Sequence, residues 1–258
     1  MKKLILSAIL LCSVVASFAC TNLIVGKKAS ADGSVMCTYN CDSFGFLNPL
    51  DFWAPGRHAE GEMIAIRGWG PQTGERLVKE VPYTYGVVGL MNDKQVAIVE
   101  TTWGGRRELV NREGFFDYFT LMGIALQRSA NAREAIAVID QLVKEYGYNS
   151  TGENFVVADK DEAWIMEIIG KGPERKGAVW VALRVPDDCI TAYANSSRIQ
   201  RFPQVKKVDK KKAFNEIEGV CMYSKDVIST ARELGLYEGS DADFSFREAY
   251  GPLDFSAI

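Results

Sequence analysis

The sequence predicts an α+β domain in which β-sheets pack together under a cover of helices. Three observations predict it. Strand patterns come first, two helical segments follow, and strand patterns return after them. Turn signals fall between the strands at hairpin spacing, Asp32-Gly33 and Met91-Asn92-Asp93-Lys94 being the clearest. Of the 258 residues, 47% are hydrophobic and 24% charged, close to average soluble usage and sufficient for one domain with a sizeable core.

The elements can be justified in order. Leu23 to Gly26 reads as a short strand, Lys27 to Ser34 as a polar turn, and Val35 to Asn40 as the returning strand. Residues 41–75 read as loops and short strands rich in Gly and aromatics. Tyr83 to Leu90 and Gln95 to Thr102 flank the second hairpin signal. Phe115 to Arg128 carries apolar residues at helical spacing. Asn131 is placed to cap a helix running through Tyr146, with Ala135, Ile136, Ile139, Leu142 and Val143 on its inner face. Asn154 to Ala158 and Ala163 to Ile169 form a strand pair across Asp159-Lys160-Asp161-Glu162, continued by Val179 to Val185 and Ile190 to Ala194. A last helix is expected over Lys225 to Leu234, stopped by Gly235. No closing helix is expected at "YGPLDFSAI", and the chain reads as a piece of a longer protein, which would leave its sheets incomplete.

The N-terminus carries the chemistry. Lys2-Lys3, the apolar run Leu4 to Val15 and the small residues of Ser17-Phe18-Ala19 have the anatomy of a secretory leader. The run is shorter than the roughly 20 residues of a membrane anchor. Residues 1–19 are therefore read as a signal peptide and 20–258 as the working domain, exported to the periplasm or beyond. Cleavage after Ala19 leaves Cys20 with a free α-amine. A thiol and an amine on one residue supply a nucleophile and its base. The amine's reference pKa of about 7.7–8.0 leaves a useful neutral fraction near neutral pH. No second residue is then needed as base, in a chain whose one histidine is His58. The other use of such a cysteine is lipidation, which would give a membrane-tethered binding protein. Ser17 stands where that route usually has Leu.

Composition narrows the partners. A net charge of −3 offers no nucleic-acid surface, and the run Lys206 to Lys212 is read as a solvated loop or helix end. After the leader, Cys20, Cys37, Cys41, Cys189 and Cys221 remain, an odd number that leaves at least one thiol unpaired. Two disulfides beside a free Cys20, or five free thiols, both satisfy that arithmetic. Cys37 and Cys41 lack a second ligand pair at metal-site spacing, so no metal is expected. Homo-oligomerisation stays open.

"CTNLIVGKKASADGS" followed by "YNCDSFG" resembles the start of bacterial dipeptidases of the N-terminal-nucleophile (Ntn) hydrolase superfamily, distant relatives of choloylglycine hydrolases and penicillin V acylases. "GLMNDKQVAIVETTWGGR", "GENFVVADKDEAWIMEI" and "AYANSSRI" extend the resemblance over residues 20–258. It implies a four-layer αββα sandwich that hydrolyses amide bonds of small peptides without a cofactor. N-acyl amides such as bile-salt conjugates or penicillin V are the alternative substrates.

By the same resemblance Cys20 matches the nucleophile. Asp42 matches an acid beside its amine, while Asn92 and Asn195 match asparagines that face the active centre and can meet an oxyanion. Tyr39 stands where the relatives carry Arg, so either another cation replaces that charge or the amine alone activates the thiol. Arg247, then Arg198, are the best matches to a late Arg of the relatives. Local structure offers other uses for these side chains: a turn cap for Asp42, a hairpin apex tolerant of positive φ for Asn92, a helix cap for Asn195. His58 fits a surface or substrate-contacting loop. Trp103 and Arg106 flank a Gly-Gly pair that lets a backbone approach a ligand, with Arg106 available to a substrate carboxylate; a plain turn serves equally well.

Overall fold

The computed structural model describes residues 19–42, 51–66 and 76–251. Residues 1–18 of the expected leader, 43–50 and 67–75 of the loop-rich stretch, and 252–258 of the terminal "YGPLDFSAI" lie outside the described residues.

The first strands are β1 (Ala19–Val25) and β2 (Met36–Asp42), a hairpin in full register from Ala19↔Asp42 to Val25↔Met36. The Asp32-Gly33 turn forms as expected. Gly33 has φ 80°, and Asp32 Oδ1 accepts from Ser34 N at 3.0 Å. Seven short strands and a long one follow: β3 (Phe52–Trp53), β4 (Gly56–Arg57), β5 (Met63–Ile66), β6 (Arg76–Lys79), β7 (Tyr83–Thr84), β8 (Val87–Val88), β9 (Met91–Asn92) and β10 (Ala97–Gly104). Then come α1 (Tyr118–Arg128) and α2 (Ala132–Tyr146), and after them β11 (Gly152–Ala158), β12 (Ala163–Gly170), β13 (Ala178–Arg184), β14 (Ile190–Ala194), β15 (Asn215–Ile217) and β16 (Cys221–Tyr223). The chain continues with α3 (Val227–Glu233) and the short α4 (Phe246–Tyr250), which the sequence pattern did not announce.

Among the described residues the protein is a mixed α/β domain with two principal antiparallel sheets. One has nine strands in the order β15-β16-β13-β12-β11-β10-β9-β8-β3, the other three in the order β14-β1-β2. β4 with β7 and β5 with β6 make two small ribbons. Every residue of β11 and β12 is buried, which explains their nearly continuous apolar sequences. Alternation along the strands then splits the core in two directions. Ile98, Phe155, Val157, Trp164, Met166 and Trp180 face α1 and α2. Val99, Val156, Ala158 and Ile165 face Ile24 and Tyr193 of the three-stranded sheet. Further along that second face Ile169, Val179 and Val181 meet α3 and α4.

Capping sets the helix limits. Asn131 Oδ1 accepts from Glu134 N at 2.9 Å, and Glu134 Oε2 reaches back to Ala130 N at 2.6 Å. α1 begins at Tyr118 rather than Phe115 because Asp117 takes the cap. Its two carboxylate oxygens accept from Thr120 N and Thr120 Oγ1, both at 2.8 Å. Phe116 instead forms a parallel bridge with Tyr148. Gly235 stops α3 with φ 67°. Asn131→Ala should cost about 1 kcal/mol. In thermal unfolding that is a fall of roughly 2–4 °C in Tm for a domain of this size.

Candidate active site

β1 turns Cys20, Asn22 and Ile24 toward the nine-stranded sheet; Asn22 and Ile24 are fully buried and Cys20 half-buried. The backbone nitrogen of Cys20 donates to Asn195 Oδ1 at 2.5 Å. Asn195 in turn donates from Nδ2 to the Thr102 carbonyl at 2.6 Å, so one side chain ties the start of β1 to β10. Thr101 Oγ1 adds a bond to the Ala194 carbonyl at 3.2 Å. No helix begins at Ser196, so capping does not explain Asn195. What holds the turn after β14 is Glu167, a fully buried acid of β12. It accepts from Tyr193 Oη at 2.5 Å, Ser197 Oγ at 2.5 Å, Arg198 N at 2.6 Å and Ile199 N at 2.9 Å.

The thiol of Cys20 is pushed up to about 12 by burial first, then by the nearby Glu100 carboxyl and by Cys41, with a hydrogen bond from Tyr39 working the other way. Among the described residues the leading influences on the thiol are neutral or acidic, and the position expected to carry arginine is Tyr39. Tyr39 instead donates to Glu100 Oε1 at 2.6 Å. Burial raises the Glu100 carboxyl, and burial together with Glu100 raises Glu153 well above the ordinary range. Thr102 Oγ1 donates to Glu153 Oε1 at 2.9 Å. The two carboxyls lie within hydrogen-bonding reach of each other. Their second oxygens have no other donor among the described residues. Two acids so placed out of water keep one proton between them.

The other expected residues are placed as follows. Asp42 is exposed at the end of β2, opposite Ala19 and so one residue from the Cys20 nitrogen; its Oδ1 accepts from Asn40 Nδ2 at 2.6 Å. Asn92 is buried in β9, not at a hairpin apex, and the left-handed turn residue is Gln95, φ 64°. Asn92 Nδ2 donates to the Leu126 and Ser129 carbonyls, each at 2.7 Å, and Oδ1 accepts from Lys94 N and Val96 N. Both amide hydrogens are committed, which leaves none for an oxyanion; Asn92 clamps the hairpin to the end of α1.

Arg106 Nε donates to the Ala249 carbonyl at 2.7 Å and so ties its strand end to α4, while Nη1 lies 3.6 Å from the exposed Glu108. Trp103 fills the space around its glycines. A Cβ on Gly105 or Gly152 would sit 2.3 or 2.6 Å from its ring, which also meets Phe246 edge-on at 6.2 Å. Gly105 and Gly152 make room for Trp103, whereas a Cβ on Gly104 would meet nothing within 4 Å. His58 Nε2 lies 3.0 Å from Thr84 Oγ1 in the β4–β7 ribbon. Arg247 N and Arg198 N bond the Ile199 carbonyl and Glu167, and neither arginine appears among the charges acting on Cys20. A cavity of about 340 Å³ is lined by Trp53, Ile64, Ile66, Phe119, Ile124 and Gln127 among others, none of them at Cys20. The five cysteines from Cys20 onward are all free.

Sequence reasoning missed Glu100, Glu153 and Glu167. The available signal was a single acid inside each of three apolar strand runs, "VAIVETT", "GENFVV" and "WIMEI".

Two predictions follow from the acids. Glu100→Gln removes the negative charge beside the thiol, so Cys20 should lose its proton at lower pH. Peptide-mapped labelling of Cys20 by iodoacetamide at pH 8 should quicken about tenfold for each 1.4 kcal/mol of repulsion removed. An unchanged rate would show that burial alone sets the thiol. Glu153 has a raised folded value, so the folded state keeps a proton that the unfolded chain releases above 4.5. Its contribution to stability is full below that pH and declines as pH rises. In Glu153→Gln the fall in Tm between pH 5 and pH 8 should shrink (measured by calorimetry).

Comparison with known proteins places this geometry in a family. Residues 19–55 and 71–258 match the peptidase family C69. The chain is 30% identical over 199 residues to a probable dipeptidase of Latilactobacillus sakei, covering 70% of this chain and 40% of that protein. It is 27% identical over 273 residues to a probable dipeptidase of Salmonella dublin, covering 97% of this chain and 57% of that one. Probable dipeptidase B of Lactococcus lactis subsp. lactis (strain IL1403) is 27% identical over 252 residues, covering 90% and 49%. The chain thus spans about half the length of these curated relatives. With the match reaching from the strand that carries Cys20 to the last residue, the chain belongs to peptidase family C69.

Proposed function

We propose that this protein is an exported thiol dipeptidase that works through Cys20 once residues 1–19 are removed. The observation that carries the reading is the 2.5 Å bond from the Cys20 nitrogen to Asn195 Oδ1, on the residue whose thiol faces the interior. A nitrogen already held beside its own thiol needs only to become an amine to serve as its base. The relatives named as probable dipeptidases support small peptides as substrates.

The chemistry runs as an acyl transfer. The neutral α-amine takes the thiol proton and Sγ attacks the scissile carbonyl carbon. The second hydrogen on Asn195 Nδ2, beside the one given to Thr102, is available to the oxyanion; such a donor is typically worth about 3–4 kcal/mol. The ammonium returns its proton to the leaving amine, which departs and leaves a thioester on Cys20. Water, deprotonated by the amine, then releases the acid and restores the thiol. Asp42, across the ladder from Ala19, stands where it can hold the new ammonium. In the chain that still carries Ala19 the nitrogen is an amide and the thiol stays protonated up to about 12. A positive ammonium next to the sulfur counters Glu100 and brings the thiol down.

We read the fold as the αββα sandwich of Ntn hydrolases. Helices on one face of the nine-stranded sheet and the three-stranded sheet on the other support it.

A chain starting Met-Cys with the Met retained should be inactive toward dipeptides, and removal of that Met should restore turnover. Cys20→Ala in the trimmed protein should abolish activity, while Cys20→Ser keeps a trace. The kcat/KM profile should rise through an amine-like pKa near about 7.7–8.0. An untrimmed chain as fast as the trimmed one would refute the reading.

A further inference from the structure

Cys20 has a second cysteine as its nearest cross-strand neighbour. Cys41 is its register partner on β2, so both side chains stand on the same face of the hairpin. Cys41 is close enough for its thiol to act on that of Cys20. Directly opposed residues of an antiparallel pair have Cα atoms about 4.5–5.5 Å apart, inside the window of about 4.4–6.8 Å that a disulfide spans. Cys41 is exposed and Cys20 half-buried. The remaining cysteines are placed differently. Cys37 is opposite Ile24 and packs against the core beneath the three-stranded sheet, Cys189 follows the turn into β14, and Cys221 is buried in β16.

We propose that Cys20 and Cys41 form a reversible disulfide that takes the nucleophile out of action under oxidising conditions and shields it from irreversible oxidation. This rests on the reading of Cys20 as the nucleophile. The oxidant is a low-molecular-weight disulfide, RSSR, of the kind that accompanies exported proteins. The exposed Cys41 thiolate attacks one sulfur of RSSR, forming Cys41–S–S–R and expelling RS⁻. Cys20, its proton passed to its amine or to solvent, attacks the Cys41 sulfur and expels the second RS⁻. The two protein thiols lose two electrons and two protons, and RSSR becomes two RSH. A bond at the end of a ladder, exposed on the Cys41 side, is of the kind that a dithiol reopens. Under peroxide, one equivalent converts the Cys20 thiolate to the sulfenic acid and is reduced to water. With Cys41 present, its thiol condenses with that sulfenic acid to the disulfide and releases water. Without Cys41, a second peroxide carries it to the sulfinic acid, which dithiothreitol does not reverse.

The test treats the protein with oxidised glutathione, maps disulfides under non-reducing conditions, and follows peptidase activity before and after dithiothreitol. The expected result is a Cys20–Cys41 linkage and an activity loss of about tenfold or more, fully recovered by the dithiol. Cys37→Ser should behave the same way. Cys41→Ser, each variant scored against its own untreated activity, should lose the linkage and, under peroxide, should lose activity that the dithiol cannot restore. A Cys20–Cys37 linkage, a stable glutathione adduct on Cys20 with Cys41 free, or full reversibility in Cys41→Ser would each overturn the proposal. Fragment-ion assignment between Cys37 and Cys41 in the unsubstituted chain decides the same point if Cys41→Ser does not fold. Should the linkage form in a trimmed protein that hydrolyses no peptide before oxidation, the disulfide stands and the dipeptidase reading falls.

Discussion

The position of the Cys20 nitrogen depends on how the three-stranded sheet is pinned to the nine-stranded one. Two tyrosines flank β1, and each donates to a buried acid of the larger sheet. Tyr39 of β2 reaches Glu100 of β10 at 2.6 Å, and Tyr193 of β14 reaches Glu167 of β12 at 2.5 Å. Both are register partners of Asn22, so the pins straddle the strand that carries the thiol. Asn195 completes the arrangement by fixing the nitrogen itself against Thr102. Hydrogen bonds to carboxylates are the stronger kind, and leaving such an acid unpaired in the interior is costly. That asymmetry makes the register hard to slip.

The same acids shape the chemistry. Glu167 is surrounded by four donors and works as a structural anchor. Glu100 and Glu153 each leave one buried oxygen without a donor and hold a proton between them, and Glu100, beside the thiol, helps keep the sulfur neutral. Cationic groups usually activate catalytic thiols, and here the described surroundings are neutral or acidic. In the proposed mechanism the positive charge comes from the residue's own terminus, and Tyr39 in place of an arginine fits that proposal.

Much of the fold was legible in the sequence. β14 was read to the residue, and the helix expected from the Asn131 cap through Tyr146 forms as α2, because capping chemistry is local. Boundaries failed where tertiary contacts took over. Phe115 and Phe116 have helical spacing but pair with Tyr146 and Tyr148 instead. β1 extends back through Cys20 because Cys41 and Asp42 supply ladder partners that no local pattern reveals. At the site, the bond from the Cys20 nitrogen to Asn195 joins two residues that the sequence pattern and the resemblance singled out. Asn92 carried the right chemistry in the right motif, yet both its amide hydrogens are spent on the end of α1, and Arg106 gives its Nε–H to α4. The Glu100–Glu153 pair was invisible because it joins β10 to β11 across more than fifty residues of sequence, and pairing of buried acids is a three-dimensional fact.

Trapping the acyl group addresses the nucleophile most directly. The trimmed protein is mixed with an activated dipeptide ester, quenched in acid within one turnover, and mapped by mass spectrometry. A thioester on Cys20, absent when a residue still precedes it, is the expected result. An acyl group on any other residue, or on Cys20 with its nitrogen still blocked, would contradict a nucleophile activated by its own amine.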